Sequence, residues 1–446
     1  MLSAMARWLV VALVVLVALA GGAAAQAPAP LLLIVSVDGL RPDYVTAADT
    51  HGLKIPALRR FLKEGAYAEG VQGVIPTTTY PSHTTLLTGV WPAKHGILAN
   101  TLFDPQRASE RAWYWYAEDI KTPTLWDAAA TAGWKTASVQ WPVSVGARVD
   151  WNIPEFWHYG GPGDGKLLRL VSTPGLLPEM EAELGPYVRG LDVEADLSHA
   201  RFVTWLLEKK RPSLLTLHLL ALDHEQHDRG PGAPEVFAVL ERLDAILGDL
   251  RAAGERLAPG RTWMAVVSDH GFARAEQQLN LFSAFRTAGL LKVERGRIGE
   301  WTAVPWSSGG SAAIVLKEPG DEATRAKVRD VLARLAGDPA NGIDRVLEAG
   351  VLHARGGFPT ASFVVGLKPG WQMASGFTGG LVTKSRGGQH GHLPDVPDLR
   401  ASFFLVGPGV PAGRSLGVID MRDIAPTLAH RAGLTLPSAD GKNLLR

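Results

Sequence analysis

The sequence predicts an α/β protein built on a mostly parallel sheet with helices on both faces. Four short apolar runs have the length and the Leu, Ile and Val content of strands that are buried on both faces. These runs cover residues 31–37, 214–219, 265–268 and 402–406. Helical patterns lie between them, for example at residues 201–210 and 236–251. Strands that alternate with helices are typical of an open α/β sheet. With 446 residues, 46% of them hydrophobic, the chain is long and apolar enough for a sizeable core.

A smaller α+β subdomain is predicted as an insertion at residues 273–385. It contains strand candidates at residues 312–316 and 362–367, and between them a helical pattern with apolar residues on one face. That face consists of Val328, Val331, Leu332 and Leu335. The core domain is therefore expected to comprise residues 31–272 and 386–446.

The first 25 residues have the pattern of a secretion signal. Arg7 precedes an apolar run at residues 8–20, and Ala23-Ala24-Ala25 offers a small-residue cleavage site. The run is shorter than the ~20 residues that span a bilayer. We therefore expect export, most simply to a bacterial periplasm and otherwise by secretion, without a stable membrane anchor after cleavage. Residues 26–30 then form a short linker. An uncleaved N-terminal anchor is the alternative.

Composition excludes several functional classes. The chain has no cysteine, which excludes disulfides, thiolate metal sites and a sulfatase that uses a cysteine-derived nucleophile. The net charge of +1 gives no reason to expect a nucleic-acid polymer or an anionic membrane as a partner. A small molecule is the expected partner, and no sequence feature indicates an oligomeric state.

Six side chains that commonly bind divalent metals fall in four separate places. One ends the first apolar run, two lie four residues apart in LALDHEQH, two are adjacent in VVSDHGF and one lies in GGQHGH. These candidates are Asp38, Asp223, His227, Asp269, His270 and His390. Turn or surface chemistry explains any one of them alone, but Asp38 and Asp269 both follow predicted parallel strands. Because ligands bind beyond the carboxyl ends of such strands, we expect these side chains to share one crevice.

The mixture of aspartate and histidine ligands predicts a site for two divalent ions. Zinc suits such ligands best, and manganese, cobalt or iron are alternatives. Two divalent ions and three carboxylates leave a formal charge of roughly +1, which attracts a phosphate oxyanion. Ions ~3.5–4 Å apart can stabilise both the attacking and the leaving oxygen of an in-line displacement. The sequence therefore predicts metal-dependent hydrolysis of a phosphate ester.

The predicted nucleophile is Thr79, in the stretch PTTTYPSHTTLLTG at residues 76–89. A short helix is expected to begin there, and backbone N–H groups at a helix N-terminus favour an anion. Threonine is a poor nucleophile by itself, but a nearby metal ion favours its alkoxide. Turn and capping chemistry alone is the alternative explanation for this stretch.

The longer segment PTTTYPSHTTLLTGVWPAKHGILAN resembles the nucleophile segment of the nucleotide pyrophosphatase/phosphodiesterase (type I phosphodiesterase) family, in the alkaline phosphatase superfamily. A pattern like T-[FY]-P-x-H…TG…P…HGI…N runs without a gap from Thr79 to Asn100. The D-x-x-x-H, S-D-H-G and H-G elements follow in the family's order, and the tail DIAPTLAHRAG is also similar. The resemblance is weak or absent over the predicted insertion. It implies an alkaline-phosphatase-like core.

The resemblance also implies a role for each matching residue. Thr79 would be the nucleophile that forms a covalent phospho-enzyme, and Asn100 would donate a hydrogen bond to a phosphate oxygen. Tyr80 stands where the family often has an aromatic residue flanking the substrate. One zinc ion would be held by Asp38, Thr79, Asp269 and His270, and the other by Asp223, His227 and His390. Members of the family cleave phosphodiester or pyrophosphate bonds in nucleotides, and some cleave choline-bearing lipids.

Two other functions stay open at this point. A phosphomonoesterase or phosphonate hydrolase could use the same core, because Lys94, Arg107 and Lys121 could supply the extra positive charge that a monoester needs. A periplasmic phosphate-ester binding protein without catalysis is a more distant alternative. Such a protein would tolerate loss of the nucleophile, but this chain keeps both Thr79 and Asn100.

Overall fold

The computed structural model describes residues 29–106, 112–157 and 163–445. The predicted signal sequence lies outside these ranges, as does most of the predicted linker. Among the described residues, no helix combines the length and the apolar character needed to cross a membrane.

The strands are numbered in chain order. They are β1 (Leu31–Val37), β2 (Ala66–Tyr67), β3 (Gly70–Gln72), β4 (Thr136–Val139), β5 (Trp151–Ile153), β6 (Leu214–Leu219), β7 (Thr262–Val267), β8 (Ala273–Leu279), β9 (Leu291–Glu294), β10 (Arg297–Trp301), β11 (Ala303–Ser307), β12 (Ser311–Leu316), β13 (Ile343–Glu348), β14 (Phe363–Leu367), β15 (Gly370–Met373), β16 (Val382–Lys384), β17 (Gly388–Gln389), β18 (Phe403–Val406), β19 (Arg414–Ser415) and β20 (Val418–Asp420).

The α-helices are numbered in the same way. They are α1 (Pro42–Thr46), α2 (Pro56–Glu64), α3 (Thr79–Thr88), α4 (Pro92–His95), α5 (Leu125–Thr131), α6 (Asp164–Val171), α7 (Leu176–Leu184), α8 (Val193–Trp205), α9 (Ala221–Arg229), α10 (Pro234–Leu257), α11 (Leu281–Thr287), α12 (Glu322–Gly337), α13 (Ala349–Ala354) and α14 (Ile424–Ala432). A π-helical turn at Leu206–Lys210 continues α8, and short 3₁₀ turns lie at Ala117–Asp119, Pro339–Asn341, Pro397–Leu399 and Met421–Asp423.

The main sheet is mostly parallel, as the sequence predicts. Its strand order is β19-β2-β18-β7-β1-β6-β4-β5. The five strands from β7 to β5 pair in parallel, with β1 in the middle between β6 and β7. The apolar run at residues 402–406 forms β18, but β18 runs antiparallel to both β7 and β2. An apolar run carries no information about direction, which is why the sequence alone suggested a parallel strand there.

Strand β1 is apolar throughout because helices cover both faces of the sheet. All seven of its residues are buried. Leu33 and Val35 pack into a cluster that contains residues of α2, α8 and α10. Leu32 and Ile34 point to the other face and join a cluster that contains residues of α3, α5 and α14. Successive side chains on a strand point to opposite faces, so β1 belongs to both cores.

A second sheet occupies part of the predicted insertion. Its order is β11-β12-β14-β13, and every neighbouring pair is antiparallel. Strands β12 and β14 lie where the sequence predicts strands, and α12 buries Val328, Val331 and Leu332 as its pattern predicts. A separate apolar cluster forms the core of this region. The boundaries at residues 273 and 385 stay a prediction, and β17 at Gly388–Gln389 pairs with β8.

Candidate metal centre

The predicted metal ligands lie on elements that end at one edge of the main sheet. Asp38 directly follows β1, and Asp269 lies two residues after β7. Helix α9 begins shortly after β6 and carries Asp223 and His227. The N–H of Gly39 donates to Oδ1 of Asp269 at 3.1 Å, which joins the ends of β1 and β7. The two aspartates therefore share one crevice, as the strand pattern predicts.

Two groups of candidate ligand atoms form within this crevice. The ligand atoms of Asp38, Asp269 and His270 lie within 4.8 Å of one another, and so do those of Asp223, His270 and His390. The imidazoles of His270 and His390 stack with their ring centroids 3.8 Å apart. His270 thus belongs to both groups. His227 lies beside the second group, with Nε2 at 3.4 Å from Oδ2 of Asp223.

Each of the two buried aspartates has one oxygen held by the protein and one without a hydrogen-bond partner. Oδ2 of Asp38 accepts from Nε2 of His218 at 3.0 Å, while Oδ1 is unpartnered. Oδ1 of Asp269 accepts from Gly39, while Oδ2 is unpartnered. Oδ1 of Asp223 is also buried and unpartnered. Buried carboxylate oxygens without partners are unfavourable, so a cation fits this arrangement.

The three histidines are oriented as metal ligands usually are. Nδ1 of His227 lies 3.1 Å from the carbonyl of Gly388, and Nδ1 of His270 lies 3.1 Å from that of Gly271. Nδ1 of His390 lies 3.3 Å from the carbonyl of Thr77. A carbonyl only accepts hydrogen bonds, so Nδ1 carries the proton in each ring. When such a ring is neutral, Nε2 has the free lone pair, which is the form of histidine that binds metal.

The electrostatics of the cluster also fit a bound cation. Burial, together with the charges of Asp269 and Asp223, raises the pKa of Asp38 well above its usual range. Burial opposes the charge on Asp269 too, but the charge of His270 holds the pKa of Asp269 well below its usual range. Nε2 of His270 lies 3.0 Å from Oδ2 of Asp269, although these atoms do not have hydrogen-bond geometry. Positive charge between the carboxylates would relieve their mutual repulsion.

Contacts from two sides bring the predicted nucleophile segment to the cluster. Thr79 is buried and is the first residue of α3. Its carbonyl accepts from Nδ1 of His83 at 2.8 Å, and the same Nδ1 lies 3.7 Å from Oδ2 of Asp269. On the other side, the carbonyl of Thr77 accepts from the N–H of Gly391 at 2.9 Å. The segment is therefore attached both to the end of β7 and to the loop that carries His390.

Asn100 is oriented by the start of α3. The N–H of Tyr80 donates to Oδ1 of Asn100 at 2.9 Å. A backbone N–H can only donate, so Oδ1 must face it, and the Nδ2 amino group of Asn100 remains as the donor for a ligand. This contact also occupies the N–H of Tyr80, and Pro81 has no N–H. The N-terminus of α3 is therefore less open to an anion than the sequence suggested.

The side chain of Tyr80 is fully buried. Its hydroxyl donates to Oε1 of Glu155 at 2.9 Å, and its ring packs against Trp113 and Trp115. This arrangement favours a role in positioning its neighbours over the direct substrate contact that the resemblance implied.

Three polar residues near the cluster were not predicted from the sequence. His83 matched the family pattern but received no role, and the structure shows that it links Thr79 to Ser36 and Asp269. His218 is the one titratable residue of β6, whose other residues are leucines and a threonine, and this was a usable signal. Glu155 follows the short strand β5 and had no recognisable pattern.

The cations proposed for a monoesterase are not gathered at the cluster among the described residues. Nζ of Lys94 forms an ion pair with Asp440 at 2.6 Å. Lys121 is exposed, and its side chain packs beside Gly96. Arg107 lies outside the described residues.

Comparison with known proteins gives a consistent family. A family model described as type I phosphodiesterase / nucleotide pyrophosphatase matches residues 32–393. Human ectonucleotide pyrophosphatase/phosphodiesterase family member 1 is 28% identical over 256 residues, which are 54% of this chain and 23% of that protein. A mouse bis(5'-adenosyl)-triphosphatase is 27% identical over 259 residues, which are 57% of this chain and 50% of that protein. The matches thus span half or less of these relatives.

Solved structures show the same fold. Murine ectonucleotide pyrophosphatase/phosphodiesterase 5, an inactive variant in complex with AMP, superposes with a TM-score of 0.66 at 21% identity. The match covers 93% of this chain and 99% of that one. The human protein of the same name gives a TM-score of 0.65 at 20% identity, with 93% of this chain and 98% of that one covered.

We expect Asp223→Asn to reduce the thermal stabilisation that zinc gives the protein, without lowering the melting temperature of the metal-free form. The substitution keeps the side-chain volume but removes a ligand charge that also repels Asp38. A tenfold loss of zinc affinity removes about 1.4 kcal/mol of zinc-linked stability. The measurement is the melting temperature with and without zinc.

Glu225→Gln is the matched control, because Glu225 lies on the same helix and pairs with Arg229 away from the cluster. The control should behave like the wild type in both conditions. Full zinc stabilisation in Asp223→Asn would show that Asp223 is not a ligand.

Proposed function

The chain belongs to the type I phosphodiesterase/nucleotide pyrophosphatase family, and on this premise we propose that it hydrolyses phosphodiester or pyrophosphate bonds at the crevice described above. One observation supports this proposal most: Oδ1 of Asp38, Oδ2 of Asp269 and Nε2 of His270 are buried without a hydrogen-bond partner, while the other polar atoms of these three side chains are held by the protein. That is the arrangement a metal-dependent hydrolase needs.

The proposed ligands divide into two sets. Asp38, Asp269 and His270 hold one divalent ion together with Thr79, and Asp223, His227 and His390 hold the other. Zinc suits these nitrogen and oxygen donors best. When bound, the two ions supply the positive charge that stabilises the attacking and leaving oxygens of the displacement.

Thr79 and Asn100 carry the proposed chemistry of the chain itself. The oxygen of Thr79 forms a bond to phosphorus as the bond to the leaving oxygen breaks, and the alcohol or phosphate leaves. Water then attacks the phosphothreonine, which releases the phosphorylated product and restores the hydroxyl. Through both steps, Nδ2 of Asn100 donates to a non-bridging oxygen. Loss of one such donor typically raises the barrier by about 3–4 kcal/mol.

Thr79→Ala and metal removal by EDTA should each abolish hydrolysis of bis-p-nitrophenyl phosphate. We expect a rate loss of roughly 10³-fold or more from Thr79→Ala, because the nucleophile is lost. Thr79→Ser, which keeps a hydroxyl, should retain part of the activity, and zinc should restore the EDTA-treated enzyme. The measurement is release of p-nitrophenol.

Thr84→Ala provides the control for this experiment. Thr84 lies on the same helix, and its hydroxyl donates to the carbonyl of Tyr80 within the helix. Its loss should leave most of the rate. Turnover that survives both Thr79→Ala and EDTA would end the proposed mechanism.

Nucleotide-type diesters are the proposed substrates. A cavity of about 260 Å³ is lined by Thr101, which follows Asn100 in the chain, and by the aromatic side chains of Phe103, Phe282 and Trp306. Aromatic walls suit a flat aromatic group such as a nucleobase. A monoester carries more negative charge, and Lys94 is already paired with Asp440. We therefore propose a small phosphate ester as the partner, and the net charge of +1 gives no reason to expect a nucleic-acid polymer.

A substrate panel tests this choice. A dinucleotide and ATP should be hydrolysed faster than glycerophosphocholine, and all three faster than p-nitrophenyl phosphate, when kcat/KM values are compared. A preference for the monoester would identify a phosphomonoesterase on the same core. Tight nucleotide binding without turnover in zinc buffer would instead identify a binding protein.

We also propose that the protein is exported, with the periplasm as the first choice of compartment. The support is the signal pattern in residues 1–25. Expression of the full chain in a bacterial host should yield a mature protein whose N-terminus is Gln26, as determined by N-terminal sequencing. Retention of Met1 or of the apolar run on the exported protein would point to an uncleaved anchor.

A further inference from the structure

A continuous chain of hydrogen bonds runs from the start of α3 to the metal cluster. The hydroxyl of Tyr80 donates to Oε1 of Glu155 at 2.9 Å. Nδ1 of His218 lies 3.1 Å from Oε2 of Glu155, and Nε2 of His218 lies 3.0 Å from Oδ2 of Asp38. All four side chains are buried. The chain connects the residue beside the nucleophile with a proposed metal ligand.

We propose that Glu155 and His218 are positioning residues that fix Asp38 as a ligand through one oxygen and hold it in register with the segment that carries Thr79. This inference rests on the proposed function only for the identity of Thr79 as nucleophile. The part that concerns Asp38 and metal binding stands on its own.

The acceptors around His218 fix the orientation of its ring. Nδ1 lies 3.2 Å from the carbonyl of Gln140 and 3.1 Å from Oε2 of Glu155, so Nδ1 carries a proton and donates. Nε2 faces Oδ2 of Asp38 at 3.0 Å, and rotation of the ring would break the contacts at both nitrogens. A buried carboxylate such as Glu155 is tolerated only when it is paired. Glu155 and His218 therefore depend on each other.

The hydrogen bond between His218 and Oδ2 determines how Asp38 can bind a metal ion. With Oδ2 held, only Oδ1 is available, and Oδ1 is the atom that faces His270 at 3.4 Å. Without the donor, the carboxylate could rotate or present both oxygens. Groups that hold a ligand in place typically affect metal affinity by about 10- to 100-fold.

The other end of the hydrogen-bond chain reaches Asn100, the proposed donor to a phosphate oxygen. Tyr80 uses two separate groups: its hydroxyl holds Glu155, and its N–H holds Oδ1 of Asn100. Glu155 lies after β5, His218 lies within β6 and Asp38 follows β1. The chain of hydrogen bonds therefore connects three strands of the main sheet. Displacement of Glu155 would thus move Tyr80, and with it Asn100 and the start of α3. A shift of ~1 Å in a reacting group can lower a rate by about 10²-fold.

The test compares zinc affinity in two variants that each lose a buried histidine. His218→Asn breaks the chain of hydrogen bonds. His199→Asn removes another buried histidine, which lies in α8 outside that chain and stacks on Tyr187. Zinc affinity of the full-length protein is measured by competition with a chromophoric chelator, and the melting temperature is measured for the metal-free form. We expect about 10- to 100-fold weaker binding at one site in His218→Asn, and wild-type affinity in His199→Asn. Equal losses in the two variants, or unchanged affinity in His218→Asn, would overturn the proposal.

Tyr80→Phe tests the other end of the chain and does not depend on His218→Asn being stable. It removes only the hydroxyl, so zinc affinity should stay within twofold of the wild type while kcat falls by about 10-fold at an unchanged KM. A wild-type kcat would overturn the link to the nucleophile segment. Because zinc binding is measured without substrate, the affinity result remains informative even if the wild-type protein has no phosphodiesterase activity.

Discussion

Repulsion between carboxylates at one edge of a parallel sheet is the constraint on which the site depends. Asp38, Asp223 and Asp269 meet there because β1 lies between β6 and β7 and all three strands run in the same direction. Burial and mutual repulsion raise the pKa of Asp38, so the group is unfavourable without a compensating charge. His218 holds one oxygen of Asp38 and Gly39 holds one oxygen of Asp269, while the second oxygen of each stays unpartnered.

Neutral backbone groups and one buried pair, His218 with Asp38, hold the proposed ligand side chains in place. Gly39 donates to Asp269, and three backbone carbonyls fix the histidine rings by accepting from Nδ1. Backbone groups keep their charge state, so these contacts do not depend on the titration of further side chains. Asp38 is held instead by a side chain, that of His218. The predicted insertion also contributes, because the N–H of Gly310 donates to the carbonyl of His390 at 2.7 Å.

The positions of residues could be predicted from the sequence where a local pattern determines them, but not where long-range contacts do. Asp38 and Asp269 could be predicted because apolar strands precede them directly. The direction of β18 could not be predicted, since its apolar run reads the same in either orientation. The burial of Tyr80 depends on Glu155, which is 75 residues away in the chain. The sharing of His270 between two ligand groups depends on its stacking with His390, for which no spacing rule exists.

Anomalous diffraction from crystals grown with zinc tests the central claim most directly, because it locates the metal without assuming a reaction. The account predicts two anomalous peaks at the zinc edge, about 4 Å apart, one against Asp38, Asp269 and His270 and the other against Asp223, His227 and His390. Peaks only at surface histidines such as His224, or no peak in this crevice, would contradict the account.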